Sequence, residues 1–412
     1  MNEILWEGSE PGMSFLEGFN YCRLLQLWIL QQWDWPARRK FGDHPLKNLK
    51  HITKSYKVIF LNTIICGVIA VTFDILSHQI PIWLLGGLLF GALIGFCLNH
   101  LLKWLNVPEK RYIRGFLILL IFEALLVYYI VIPSFGAYYT VHPTRLPILV
   151  TPSEMGINYE EVYFLTEDNI QIKGWYIPST NGATILGVHG LNGNRTHTMP
   201  YMKILVEHGY GMLLIDLRAH GESGGDVFAA AWDSDQDVLA GLDYLKGRSD
   251  IDMERIGALG LSAGAHAVLY AAAKTEDIKA LYLDGTGIGR TADVLDPLLP
   301  ELRPLFFGIP MNHFHHVMIK IFSGVPPAPA LKNVAPLIDP RPVLFVAAGS
   351  DAFETAIASR LTDLAGANAE YWIIPDVQHL GGIFKYPEEY ANRMVHFFNK
   401  NLIKSFPDSD LQ

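Results

Sequence analysis

Three apolar runs, each about as long as a membrane crossing, lie close together in the first third of this chain. They are VIFLNTIICGVIAVTFDILS at 58–77, IPIWLLGGLLFGALIGFCLN at 80–99 and GFLILLIFEALLVYYIVIPSF at 115–135. A helix needs ~20 residues to span hydrocarbon, and a soluble core helix rarely stays apolar on every face for that long. The pattern therefore predicts three transmembrane α-helices over 58–139 rather than a buried soluble bundle. Half of the residues are hydrophobic and the mean hydropathy is +0.22, but the excess sits in this region, and residues 140–412 read as an ordinary globular mixture. The first run begins nearly sixty residues in, too late for a cleaved signal peptide.

Within the second run, Gly87, Gly91 and Gly95 recur every four residues. Such a strip lets another helix approach closely, although glycine is also simply frequent in membrane helices. Glu123 lies inside the third run, where a charge is costly and usually meets a partner or water. Asn62 or Thr63 are candidate partners, and no catalytic role is assigned to it. Lys40, Lys47, Lys50, Lys54 and Lys57 precede the first run, and Lys103, Lys110, Arg111 and Arg114 separate the second from the third. Only Arg145 follows closely. This asymmetry places residues 1–57 in the cytoplasm and, after three crossings, the remainder outside it. Leu24, Leu25, Trp28 and Ile29 form one face of a possible interfacial helix within 14–35. The proline-bearing stretch within 140–158 is expected to be a linker.

The formal charge is −9, and no basic cluster appears in the second half, which argues against a nucleic-acid partner. Cys22, Cys66 and Cys97 are the only cysteines, so residues 159–412 hold no disulfide and no thiolate zinc site. From about 159, strand and helix periods alternate. Strands are expected at EEVYFLT, IQIKGWYI, 183–190, 211–217, 255–261, 280–285, 342–349 and 369–375, and helices near 199–208, 233–247, 263–274 and 387–403. That alternation predicts an α/β domain with a mostly parallel sheet covered on both faces. Reactive groups then gather at the carboxyl ends of the strands.

Gly260-Leu261-Ser262-Ala263-Gly264 follows one such strand and opens an alanine-rich helix. In a G-x-S-x-G turn the glycines leave room for the backbone and the serine hydroxyl stands exposed. Gly221-Glu222-Ser223-Gly224-Gly225 fits the same pattern, but it lies past its strand and runs into loop, so Ser262 is the expected nucleophile. A serine needs a base, and the base an orienting carboxylate. His379 follows the strand AEYWIIP and is the expected base. Asp351, after PVLFVAAG, is the first candidate acid, with Glu354 and Asp284 as alternatives; Asp351 also reads as a helix cap before AFETAIASRL. In His189-Gly190-Leu191-Asn192-Gly193 the backbone matters most: the N–H groups of Leu191 and Ala263 are candidate oxyanion donors. His189 reads as a residue that shapes the loop.

Residues from about 159 to 404 resemble the α/β-hydrolase superfamily through GWYIPS, GVHGLNGNR, DLRAHGESGG, LGLSAG, GSDAF and PDVQHLG, in that order. The set looks like its esterase, lipase and peptidase members, and most like the dienelactone-hydrolase and prolyl-peptidase branch. The resemblance implies a triad of Ser262, Asp351 and His379, an oxyanion hole at Leu191 and Ala263, and neither cofactor nor metal. A serine at the elbow departs from the dehalogenase and epoxide-hydrolase members. Residues 286–340 fall where relatives insert a cap. This stretch, rich in Leu, Phe, Met and Pro, would line an acyl pocket, lean on the membrane, or form a small core of its own. His313, His315 and His316 are expected at the surface rather than on a metal. The expected activity is a membrane-anchored serine hydrolase acting on a small-molecule or lipid acyl ester. An acyltransferase or peptidase on the same residues, or a non-catalytic membrane scaffold or receptor, are the alternatives.

Overall fold

The computed structural model describes residues 121–295 and 308–403, with isolated positions 63, 93, 95, 96, 100 and 118. Those positions apart, the first two expected spans and the segment 1–57 lie outside the described residues. The chain divides into two compact units, Met1–Leu119 and Leu120–Gln412. The second unit contains everything that follows.

That unit opens with helix α1, Ile121–Val141, 21 residues with a mean hydropathy of 1.6. Among the described residues it is the one helix long and apolar enough to cross a membrane. It overlaps the third expected span and continues past it. Pro133 lacks an N–H and its ring crowds the preceding turn; the helix answers with a π turn at Val127–Val131. Ser134 Oγ donates to Ile130 O at 2.6 Å there.

The segment expected to be a linker is docked instead. The Arg145 guanidinium donates to the carbonyl oxygens of His220, Gly221, Ser223 and Gly225. Asn194 Nδ2 donates to Leu146 O at 3.1 Å, and Phe228 N to Val141 O at 2.9 Å. All six of these contacts satisfy carbonyls of the loop over 220–225 or of the segment itself, which a free tether would leave to water.

Eight strands form one sheet: β1 Glu160–Leu165, β2 Gln171–Ile177, β3 Thr184–Val188, β4 Gly211–Ile215, β5 Ile256–Leu261, β6 Ala280–Asp284, β7 Val343–Ala348 and β8 Ala369–Ile374. Their spatial order is β1-β2-β4-β3-β5-β6-β7-β8, and only β2 runs against its neighbours. The five strands β3 to β7 are buried along their whole length, as strands covered on both faces must be. The remaining helices longer than four residues are α2 Met199–Glu207, α3 Asp235–Lys246, α4 Ala263–Ala272, α5 Gly308–Ser323, α6 Ala352–Leu364 and α7 Pro387–Leu402. Two apolar clusters flank the sheet. Leu242, Val268 and Ile357, from α3, α4 and α6, belong to one; Leu205, Met394 and Phe398, from α2 and α7, belong to the other. Register sets the site. Val188 pairs with Gly260, Leu261 with Asp284 and Asp284 with Val346, so the carboxyl ends of β3, β5, β6 and β7 lie level.

Candidate active site

Ser262 sits between β5 and α4 with φ 54° and ψ −117°. A non-glycine residue held there costs on the order of 1–3 kcal/mol and persists only where its surroundings impose it. The flanking glycines are what impose it. A Cβ on Gly264 would stand 2.4 Å from Val188 O and 2.5 Å from His189 O, and one on Gly260 would stand 2.6 Å from Ala265 Cα. Ser262 N donates to Asp284 O at 2.8 Å, which ties the turn to the end of β6. Ser262 Oγ makes no hydrogen bond among the described residues. It faces a cavity of about 710 Å³ whose wall it shares with Leu191, Ala263, Asp351, Glu354 and His379. Ser223 is different: it is buried, its Oγ donates to Asp216 O at 2.7 Å and accepts from Lys173 N at 2.9 Å. That hydroxyl is spent on the backbone.

His379 reaches the cavity from the loop after β8. Its Nδ1 is hydrogen-bonded to Oε1 of Glu354, not to Asp351. This corrects the expected acid. Asp351 is the cap of α6: its Oδ1 accepts from Phe353 N at 2.8 Å and from Glu354 N at 3.1 Å, satisfying helix N–H groups that have no partner within the helix. Glu354 lies one turn further on, is 3% exposed, and uses its other oxygen to accept from Ala348 N at 3.0 Å. The capping aspartate thus fixes the turn that aims the glutamate. The bond to Glu354 raises the His379 pKa above that of a free histidine, against the opposing effect of burial. With Nδ1 engaged, Nε2 is the nitrogen available to the cavity. Gly285 lets this ring approach: a Cβ there would stand 2.7 Å from His379 Cε1.

Asp284, the other alternative acid, is bonded to two tyrosines rather than to His379. Its Oδ2 accepts from Tyr390 Oη at 2.6 Å and Tyr201 Oη at 3.1 Å. Burial pushes its pKa up to about 6, opposed by those two hydroxyls.

The Leu191 loop is held by two histidines. His189 Nε2 accepts from Leu217 N at 3.0 Å, so Nδ1 carries the hydrogen and donates to Gly190 O at 2.7 Å. His220 Nε2 accepts from Asn192 N at 3.2 Å, and its Nδ1 donates to Arg218 O at 2.9 Å. Burial pushes them down to about 4 and about 3, so both are neutral supports. The N–H groups of Leu191 and Ala263 have no protein acceptor among the described residues, and both residues line the cavity beside Ser262. Two free donors next to a hydroxyl and an imidazole can hold a developing oxyanion.

The insertion supplies the far wall. Ile309, Met311, Asn312, His315, His316 and Ile319 of α5 line the cavity, with Tyr128 and Thr140 of α1. His315 and His316 were expected at the surface; the structure turns both inward. His315 Nδ1 donates to Pro133 O at 3.1 Å, and burial pushes His316 down to about 3. Nothing in their spacing distinguished an inward from an outward face.

An elbow serine, a histidine–carboxylate pair and a mostly parallel eight-stranded sheet define an α/β-hydrolase. Residues 124–294 match the family model described as X-Pro dipeptidyl-peptidase, S15 family. The uncharacterized protein Rv2307c of Mycobacterium tuberculosis is 30% identical over 225 residues, 53% of this chain and 72% of that one. The α/β hydrolase domain-containing protein WAV2 of Arabidopsis thaliana is 28% identical over 196 residues, 46% of this chain; the match spans 60% of WAV2's own length. Among solved structures, the Pyrococcus furiosus esterase Pf2001 is similar with a TM-score of 0.50 and 25% identity, covering 63% of this chain and 100% of that one. The chain belongs to the family of that mycobacterial protein, within the α/β-hydrolase superfamily.

Proposed function

We propose that the chain is a membrane-anchored serine hydrolase that cleaves carboxylic esters through an acyl-enzyme on Ser262. The observation that carries this reading is the His379–Glu354 pair on the same cavity wall as the strained Ser262. In the reaction, Ser262 Oγ attacks the ester carbon as its proton passes to His379 Nε2. The carbonyl oxygen takes the negative charge and is held by the N–H groups of Leu191 and Ala263; one such donor is worth about 2.7–4 kcal/mol of barrier. Collapse expels the alcohol, which takes the proton from His379. Water then attacks the acyl-enzyme, with His379 again as base, and returns Ser262 to its free form. Helix α1 would hold this site at a bilayer.

The S15 match raises a peptidase as the second reading. A dipeptidyl-peptidase must hold a free ammonium group, for which a carboxylate is the natural partner. Of the carboxylates on this cavity wall, Glu354 has both oxygens engaged, by Ala348 N and His379, and Asp351 caps α6 through Oδ1, which favours an ester. The deciding experiment labels the full-length protein with a fluorophosphonate and then offers p-nitrophenyl esters and X-Pro dipeptide amides. Ser262→Ala is expected to abolish labelling and to lower esterase turnover at least about 10⁴-fold, while Ser223→Ala keeps its label. An unlabelled wild type would leave the scaffold reading standing, and faster cleavage of the amides would move the assignment to the peptidase.

A further inference from the structure

The cavity wall is not confined to the hydrolase domain. It continues onto α1, where Tyr128 and Thr140 line it twelve residues apart, about 18 Å along a helix axis. Tyr128 lies inside both the expected span 115–135 and the apolar helix Ile121–Val141. That places it between about 10 and 20 Å from the domain-side end of the span, within a hydrocarbon layer ~30 Å thick. With α1 as the proposed anchor, the pocket that begins at Ser262 would reach membrane depth.

The surroundings of Tyr128 suit hydrocarbon. Ile121, Leu125, Tyr128 and Ile132 follow each other at helical spacing and are 39–62% exposed. The opposite stripe, Pro133, Ala137 and Val141, is buried against the domain. Across from α1, helix α5 exposes Val317 and Ile321. The two helices touch through His315 on Pro133 O and through Tyr138 edge-on to Phe322 at 5.9 Å. Burial holds His315 and His316 below the ordinary histidine pKa, so neither contributes a charge that would repel an acyl chain. The π turn at Val127–Val131 contains Tyr128, and such turns recur at functional sites.

We propose that the substrate is a bilayer-resident acyl lipid that reaches Ser262 from the hydrocarbon side, between α1 and α5, with its chain lying along Tyr128. The proposal rests on the serine-hydrolase reading above. It makes α1 both anchor and pocket wall, and it assigns the apolar far end of the cavity to an acyl chain rather than to a water-soluble acid.

The test uses the full-length protein in phosphatidylcholine vesicles and a hexadecyl fluorophosphonate with a diazirine at the chain end. After phosphonylation of Ser262, irradiation is expected to crosslink the probe to the peptide holding Tyr128 or to α5. Crosslinks elsewhere, or none, overturn the proposal. Failure to phosphonylate the wild type would instead overturn the hydrolase reading, so the two failures are distinct. In parallel, Tyr128→Asp is expected to lower turnover of a vesicle-embedded long-chain ester at least tenfold relative to a short soluble ester. An equal effect on both substrates would count against a chain-binding role.

Discussion

His379 is useful as a base only when its imidazole is neutral, and Glu354 works against that at low pH. The hydrogen bond from Nδ1 stabilises the protonated ring and raises its pKa above the free value of ~6.5. The rising limb of kcat/KM against pH is therefore expected above that value. Glu354→Gln removes the largest cause of the shift, so the limb should move to lower pH while kcat falls roughly 10³–10⁴-fold, the usual result of losing the partner that fixes the tautomer. Asp351→Asn removes only the smallest of the named causes, so the limb should move to lower pH by less than in the Glu354 variant, and turnover should fall far less, since asparagine also caps helices. A limb that moves in the Asp351 variant but not in the Glu354 one would reverse the assignment. That Ser262 and His379 share one cavity wall was legible because each follows an apolar strand in chain order. The carboxylate that bonds His379 was not, because Asp351 and Glu354 are one helical turn apart and chain order treats them alike. The helix-forming run after Asp351 was the signal: a carboxylate directly before it is taken up by the free N–H groups of the first turn.

The eight strands were legible because each is a short apolar run bounded by turn residues, with its start and end within about two residues of expectation. The spatial exchange of β3 and β4, by contrast, leaves no mark on local periodicity, since both are equally buried. The docked segment after α1 was missed for a related reason. Its prolines rule out one continuous helix, but they do not tell whether the carbonyls of the loop over 220–225 will find Arg145. The strand-to-helix turn at Ser262 allows a quantitative check of the motif. Gly264→Ala forces a methyl against two backbone oxygens at 2.4 and 2.5 Å, and overpacking against atoms that cannot yield should cost about 3 kcal/mol. Gly224→Ala, at a variable position of the second G-x-S-x-G match, meets its nearest atoms at 3.3 Å and should cost no more than about 1 kcal/mol. Chemical denaturation of the two variants in detergent measures the difference. Equal losses of stability would show that close packing is not what reserves position 264 for glycine.

Across the whole molecule, charge is the argument for the side of the membrane on which the proposed site would work. Lys40, Lys47, Lys50, Lys54, Lys57, Lys103, Lys110, Arg111 and Arg114 flank the faces assigned to the cytoplasm. Arg145, the one basic residue close after α1, is committed to loop carbonyls within the domain, so it offers little pull toward the inner surface. If the first two apolar runs both cross, α1 is the third crossing and the catalytic domain lies outside the cytoplasm, pressed to the bilayer by its docked segment. If one of them folds back without crossing, the parity reverses. The proposed lateral route to Ser262 needs only α1 to span the bilayer and so does not depend on the answer, whereas the identity of the accessible leaflet does. Lys400, half exposed near the end of α7, gives the test a fixed reporter. With Cys22, Cys66 and Cys97 replaced by serine and Lys400→Cys introduced, a membrane-impermeant maleimide should label intact cells or right-side-out vesicles. Labelling that appears only after permeabilisation would place the domain in the cytoplasm and confine its lipid substrates to the inner leaflet.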